Sequence, residues 1–302
     1  MTDALETLQL SKRYGKQWAL SDCTLHVPVG RVAGLVGPNG AGKTTLLHLA
    51  VGLLVPTTGS IKVLGQSPYE QPEKLLSRIG FIAQEQALYR SFSVQDMLTF
   101  GQKMNPRWDA GFAQKQVEQL GIPLKRTIGK LSGGQRAQVA LVMALAKKPE
   151  LLLLDEPLAS LDPLARRSFE QTLMSAVVED HLTVLISSHL VGELERICDY
   201  LVMLSAAHVQ MSSDLEELLT THKRLIGPRL AADAIARTHS IIQASHTERQ
   251  STLLVCMNGP EPDPAWEVED VSLEEIILAY LAQPQASVPP GEVVRDGVGV
   301  SL

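Results

Sequence analysis

The run Gly37-Pro38-Asn39-Gly40-Ala41-Gly42-Lys43-Thr44-Thr45 constrains this chain more than any other segment. It fits the spacing G-x-x-x-x-G-K-[ST]. It lies between a short apolar segment, 31–36, and a stretch, 44–51, that reads as a helix. A phosphate-binding turn needs that strand–loop–helix order. Glycines let the backbone curl so that successive N–H groups point at one anion. The start of the following helix adds its partial positive charge. Lys43 is a mobile point charge for β- and γ-phosphates, and the Thr44 hydroxyl is a hard oxygen suited to Mg²⁺. A glycine turn that merely joins a strand to a helix is the plainer alternative, but the flanking elements and every spacing favour the phosphate cradle.

A second station follows at 151–157, Leu-Leu-Leu-Leu-Asp155-Glu156-Pro157. Four leucines suit a strand buried on both faces of a parallel sheet. Carboxylates at its end stand at the sheet's carboxyl edge, where open α/β sheets bind ligands. Successive strand residues point to opposite sides, so the two acids are expected to do different jobs. Asp155 is assigned to the Mg²⁺ shell and Glu156 to an attacking water. Alone, such an acid pair is more often a cap or turn; beside the phosphate cradle it reads as chemistry.

Between and around these stations, segments 5–10 and 17–27 alternate as half-buried antiparallel strands do. Residues 79–83 suggest a further strand. From about 93 to 147 the pattern turns helical, with Pro106, Gly121 and Pro123 as breaks. Strands are expected at 150–155, 182–186 and 199–204, and helices at 163–179 and 190–197. Alternating strands and helices imply a largely parallel sheet with covered faces. The character changes near residue 222. The 223–250 stretch is poorly periodic, 251–257 looks like a strand, and 271–281 looks like a helix. The acidic, proline-rich 259–270 segment reads as an exposed connection, and the chain from 283 onward as loosely ordered.

Composition excludes some classes. A formal charge of −6 speaks against a nucleic-acid partner, which usually calls for a basic stripe. Cys23, Cys198 and Cys256 lie far apart without metal-type spacing and read as free thiols. The N-terminus shows no basic region followed by an apolar core, so no secretory signal is expected. No apolar run approaches the roughly 20 residues that span a bilayer.

Leu131-Ser132-Gly133-Gly134-Gln135 then separates one phosphate-binding class from the others. Ser132 can cap a helix, and the two glycines allow close approach to a phosphate. With this segment in place, the chain resembles the nucleotide-binding subunits of ATP-binding-cassette (ABC) transporters over about residues 4–220. The resemblance extends to weaker stations in the family's order. Tyr14 resembles the aromatic that stacks on adenine. Gln84 resembles the glutamine that touches Mg²⁺ and faces the membrane partner. Ser160-Leu161-Asp162 resembles the loop that contacts the opposite subunit, and His189 the histidine that holds the γ-phosphate.

The resemblance implies a P-loop α/β core with an antiparallel β subdomain over 1–222, a helical insertion at about 93–147, a small α/β extension at 223–285 and a flexible tail at 286–302. It implies an ATPase with ATP and Mg²⁺ in the site, Glu156 and His189 as catalytic residues, and 37–45 with Tyr14 on the nucleotide. It places Thr44, Gln84 and Asp155 around the metal. The 132–135 segment would complete the site of a second cassette, identical or paralogous, in a head-to-tail pair. An integral membrane permease would supply the spanning helices and hold the subunit at the cytoplasmic face of the cell membrane. The segment Val271-Ser272-Leu273-Glu274-Glu275 resembles the ending of multidrug-exporter subunits, which implies export. Two alternatives stand beside this. A soluble ABC ATPase acting on ribosomes or DNA would usually carry two cassettes or a long coiled coil. A regulatory module without turnover would not need Glu156 and His189.

Overall fold

The computed structural model describes residues 3–159 and 161–283. Three sheets organise it. Strands β1 (Asp3–Tyr14) and β2 (Gln17–Pro28) form an antiparallel hairpin. Strand β3 (Val32–Val36) leads into α1 (Lys43–Ala50). Next come β4 (Thr58–Val63), α2 (Pro72–Leu76) and β5 (Ile79–Ile82). Helices α3 (Val94–Met104), α4 (Ala110–Gln119) and α5 (Gly133–Leu145) make up the helical insertion. The core resumes with β6 (Leu151–Asp155), α6 (Pro163–Asp180), β7 (Thr183–Ser188), α7 (Val191–Leu194) and β8 (Tyr200–Ser205). Strand β9 (His208–Asp214) and α8 (Leu215–Thr221) complete it. Beyond lie β10 (His222–Pro228), α9 (Ala232–Thr238), β11 (Ser240–His246), β12 (Gln250–Cys256), β13 (Glu267–Asp270) and α10 (Leu273–Ala282).

The central sheet has the order β5-β6-β7-β3-β8-β9. Its first five strands are parallel and β9 is antiparallel. Leu151, Leu152, Leu153 and Leu154 of β6 are all fully buried, as a strand covered on both faces requires. Each such side chain contributes about 1.5–3 kcal/mol on burial. Three helices start at a reciprocal cap: Ser93 with Asp96, Ser132 with Gln135 and Ser272 with Glu275.

Three sequence expectations need correction. The helix expected over 190–197 is only α7, Val191–Leu194. Gly192 weakens it, and the chain must turn there so that Cys198 packs against Gly34 before β8 begins. The 259–270 segment is not simply an exposed connection. Trp266 is buried against Gly227, where a β-carbon would come within 2.5 Å of the ring, and Glu267–Asp270 is a strand. Its acids are matched across the register: Lys223 pairs with Asp270 and Arg224 with Glu269. The aperiodic 223–250 stretch is regular structure, holding β10, α9 and β11. Their sheet runs β11-β12-β10-β13, and α10 belongs to the same core cluster as α6 and α7, through Leu273, Ile276 and Ile277 with Phe169, Leu173 and Leu194. The expected tail over 286–302 and residue Ser160 lie outside the described residues.

Candidate nucleotide site

The cradle is built by β3 and α1. Gly37, Gly40 and Gly42 all have positive φ. A β-carbon on Gly37 would stand 2.2 Å from the Leu204 carbonyl oxygen, and one on Gly42 2.4 Å from that of Ala19. Only glycine therefore lets the loop pass between β8 and β2. Gly42 caps α1 without a side-chain hydrogen bond, which leaves the first-turn amides for an outside acceptor. Lys43 is buried; its Nζ donates to the Gly37 carbonyl at 2.8 Å and lies 3.5 Å from Glu156 Oε1.

The acid pair is split by the end of β6. Asp155 is paired in register with Ser187 of β7. The Ser187 hydroxyl donates to Asp155 Oδ1 at 2.8 Å and accepts from the Glu156 N–H at 2.9 Å. Asp155 Oδ2 is buried with no hydrogen-bond partner. An ionised oxygen left so is costly without a cation, and a hard carboxylate oxygen suits Mg²⁺. The donor set therefore fits the metal. Glu156 has φ +46°, a conformation that L residues adopt at a cost, and this turns its side chain away from the strand. Its Oε2 lies 3.0 Å from His189 Nδ1. A carboxylate only accepts, so Nδ1 carries the hydrogen of this contact.

An open cleft of about 690 Å³ gathers Tyr14, Asn39, Gly40, Gly42, Lys43, Thr44, Thr45, Gln84, Glu156 and His189. Ala41 and Asp155 are buried and do not line the cleft. Gly37 and Pro38 line a second cleft, which His189 lines as well. Gln17, Trp18 and Ala19 also line the nucleotide-sized cleft, and sequence reasoning missed them, as it missed Ser187. The available signal for Ser187 was its place one residue before the end of an apolar strand beside β6.

No residue of 131–135 lines this cleft, and neither does Asp162. Ser132 Oγ accepts from the Gln135 N–H and Gln135 Oε1 from the Ser132 N–H, so both cap α5. Gly134 has a packing reason as well: its β-carbon would meet that of Ala165 at 2.7 Å, so α5 reaches α6 only through a glycine. Asp162 caps α6, accepting from the Leu164 and Ala165 N–H groups. Burial pushes the Cys23 thiol up to about 11 and Cys198 higher still, which disfavours the thiolate at both.

The family profile described as "ABC transporter" matches residues 20–159. The uncharacterized ABC transporter ATP-binding protein YxlF of Bacillus subtilis (strain 168) is 35% identical over 221 residues, covering 69% of this chain and 70% of the relative. This chain belongs to the ABC transporter ATP-binding proteins. The bacitracin transport ATP-binding protein BcrA of Bacillus licheniformis is 31% identical over 202 residues, 66% of each chain. A solved ATP-binding subunit of an ABC transporter superposes with a TM-score of 0.66 at 27% identity, covering 72% of this chain and 92% of that one. The fold is accordingly the P-loop α/β cassette, and the activity is the family's: ATP binding and hydrolysis that drive transport. Among the described residues, no helix of this ABC subunit is long and apolar enough to cross a membrane.

Proposed function

We propose that this subunit hydrolyses ATP at two composite sites of a head-to-tail cassette pair and passes the resulting movement to a separate membrane permease, in an exporter. One observation carries the reading: Lys43, Glu156 and His189 converge on one cleft while 132–135 and Asp162 stay outside it. In this reading residues 3–222 form the ATP-binding unit, and 223–283 the extension that supports export.

Within a site, Tyr14 stacks on the base, and the 37–45 loop and Lys43 hold the phosphates. Thr44, Gln84 and Asp155 would hold Mg²⁺, which when bound would neutralise phosphate charge. Glu156 takes the proton from the attacking water, aligned by His189 and Lys43 on either side. His189 contacts the γ-phosphate. Ser132 and the amides of Gly133 and Gly134, held in place by the Gln135 cap, add donors from the opposite subunit, where Asp162 makes a dimer contact, so turnover depends on assembly.

The route to the permease runs through the segment after β5. Gln84 lines the nucleotide cleft, and Ala83, Gln86 and Leu88 line a neighbouring groove of about 490 Å³ with Phe81, Phe100 and Met143. The exposed Leu53 belongs to the same groove. We assign it to an apolar helical segment of the permease. A shift of Gln84 with the γ-phosphate therefore moves the groove wall. The test is copurification of an integral membrane protein with the wild-type chain and with Leu53→Glu. Copurification of an integral membrane protein that is lost in Leu53→Glu supports the coupling. A subunit that recruits no membrane protein, or whose recruitment ignores Leu53→Glu, refutes it.

A further inference from the structure

We propose that Glu193 is a positioning residue for His189, acting through the Ser188 hydroxyl and held by Arg166. The proposal rests on the reading of His189 as the γ-phosphate contact. His189 itself is poorly anchored. Its side chain is 43% exposed, and Glu156 is the hydrogen-bond partner of its ring. What fixes the ring must therefore act on the backbone around it. The Ser188 hydroxyl is buried, accepts from the Leu190 N–H at 3.0 Å and donates to Glu193 Oε2 at 3.0 Å. One oxygen thus closes the turn that carries His189, and Glu193 decides where its hydrogen points. The Leu190 carbonyl, at 3.4 Å, is the weaker alternative acceptor.

Glu193 is held from the other side. Arg166 Nη1 lies 2.8 Å from Glu193 Oε1, and Arg166 sits on the first turn of α6, its N–H donating to the Asp162 carbonyl. The arrangement is a poor device for stability alone. The carboxylate is buried, the contact lacks hydrogen-bond geometry, and both Arg166 Nε and Glu193 Oε1 have no hydrogen-bond partner. A buried ion pair offsets its desolvation only with excellent geometry, and an apolar pair of similar volume is often as stable or more so. What an apolar pair cannot do is accept from Ser188. The other charges at this cleft are Arg196, paired with Glu170, and Glu274 on α10.

The experiment compares wild-type chain with Arg166→Met/Glu193→Leu, Glu193→Gln and Ser188→Ala, measuring kcat, KM, the ATP dissociation constant and Tm. The apolar double variant is expected to keep Tm and ATP affinity while kcat falls about tenfold to a hundredfold, the scale of a misplaced reacting group. Glu193→Gln retains an acceptor for Ser188 and is expected to recover most of kcat. Ser188→Ala removes the hydroxyl from the other end and must reproduce the loss, which decides the matter if the double variant does not fold. Wild-type kcat in the folded double variant or in Ser188→Ala overturns the proposal. So does a parallel fall of kcat, ATP affinity and Tm, which marks a merely structural role. His189→Ala is run beside them: wild-type kcat in that variant refutes the role of His189 itself, a different failure.

Discussion

His189 Nδ1 stands 3.0 Å from Glu156 Oε2, although the two residues are 33 positions apart in the chain. Parallel pairing of β6 with β7 brings them together, since both strands end at the same edge of the sheet. On the far side of the carboxylate, Lys43 closes to 3.5 Å. Glu156→Gln keeps the shape but loses the base. It is expected to bind ATP normally and to lose turnover by about 10²–10⁴-fold, the usual span of general-base catalysis. The same variant should accumulate an ATP-bound dimer on size exclusion. Phosphate release at the wild-type rate would remove Glu156 from this role.

Tyr14 is half exposed at the end of β1 and lines the cleft with Trp18, whose ring lies under the Arg13 guanidinium. Tyr14→Ala is expected to weaken ATP binding by about 1–3 kcal/mol, as loss of base stacking does, with kcat retained. GTP should bind nearly as well as ATP, because stacking reads the face of a ring. An unchanged ATP dissociation constant, measured by calorimetry, would make Tyr14 structural; Trp18→Ala is then the natural comparison.

Assembly is testable by mixing. On the proposed head-to-tail pair, Lys43→Ala and Ser132→Arg should each be inactive as homodimers, since each would break both composite sites. In a mixed pair both lesions can fall in one site and leave the other whole. Partial recovery of hydrolysis on mixing supports the head-to-tail arrangement. Specific activity of the wild-type chain should also fall on dilution. Turnover per subunit that stays constant far below the dimer dissociation constant would refute it.

His222 links the extension to the core. Its Nδ1–H donates to the Leu218 carbonyl, and Nε2 accepts from the Tyr280 hydroxyl of α10 at 3.0 Å. Burial holds its pKa below the ordinary 6.5, although the bond to Leu218 opposes this. The folded state therefore binds fewer protons than the unfolded one between the two pKa values. Stability should drop as pH falls through about 6.5 and level off below the folded pKa. His222→Gln should flatten that part of the profile. Urea midpoints measured from pH 7.5 to 5 check this; an equal slope in both proteins would assign it elsewhere.

Much of the candidate site was legible because the residues proposed for it lie in short local patterns. The 37–45 loop needs glycine at positive φ and a lysine at the next helix start, and both requirements show as consecutive letters. The Ser132–Gln135 cap is equally local. The leucine run of β6 marked a doubly covered strand because no polar residue interrupts it. The C-terminal elements were less legible. Strands β10 and β13 are matched by charge across 40-odd residues, and Trp266 is buried by a contact with Gly227; neither leaves a period in the sequence.

By itself, the sequence determined the glycine loop at 37–45, the two acids and their order along an α/β chain, because backbone conformation and strand burial act through neighbouring residues. Tertiary structure alone decided that Ser187 bridges Asp155 to the Glu156 amide, that Asp155 keeps one oxygen bare, and that Gly134 is small for the sake of Ala165. It also decided that α10 closes the core beside α6 and α7. Those relations depend on which strands lie side by side and how closely helices approach. They are set by packing between segments far apart in the chain, which no local pattern of residues encodes.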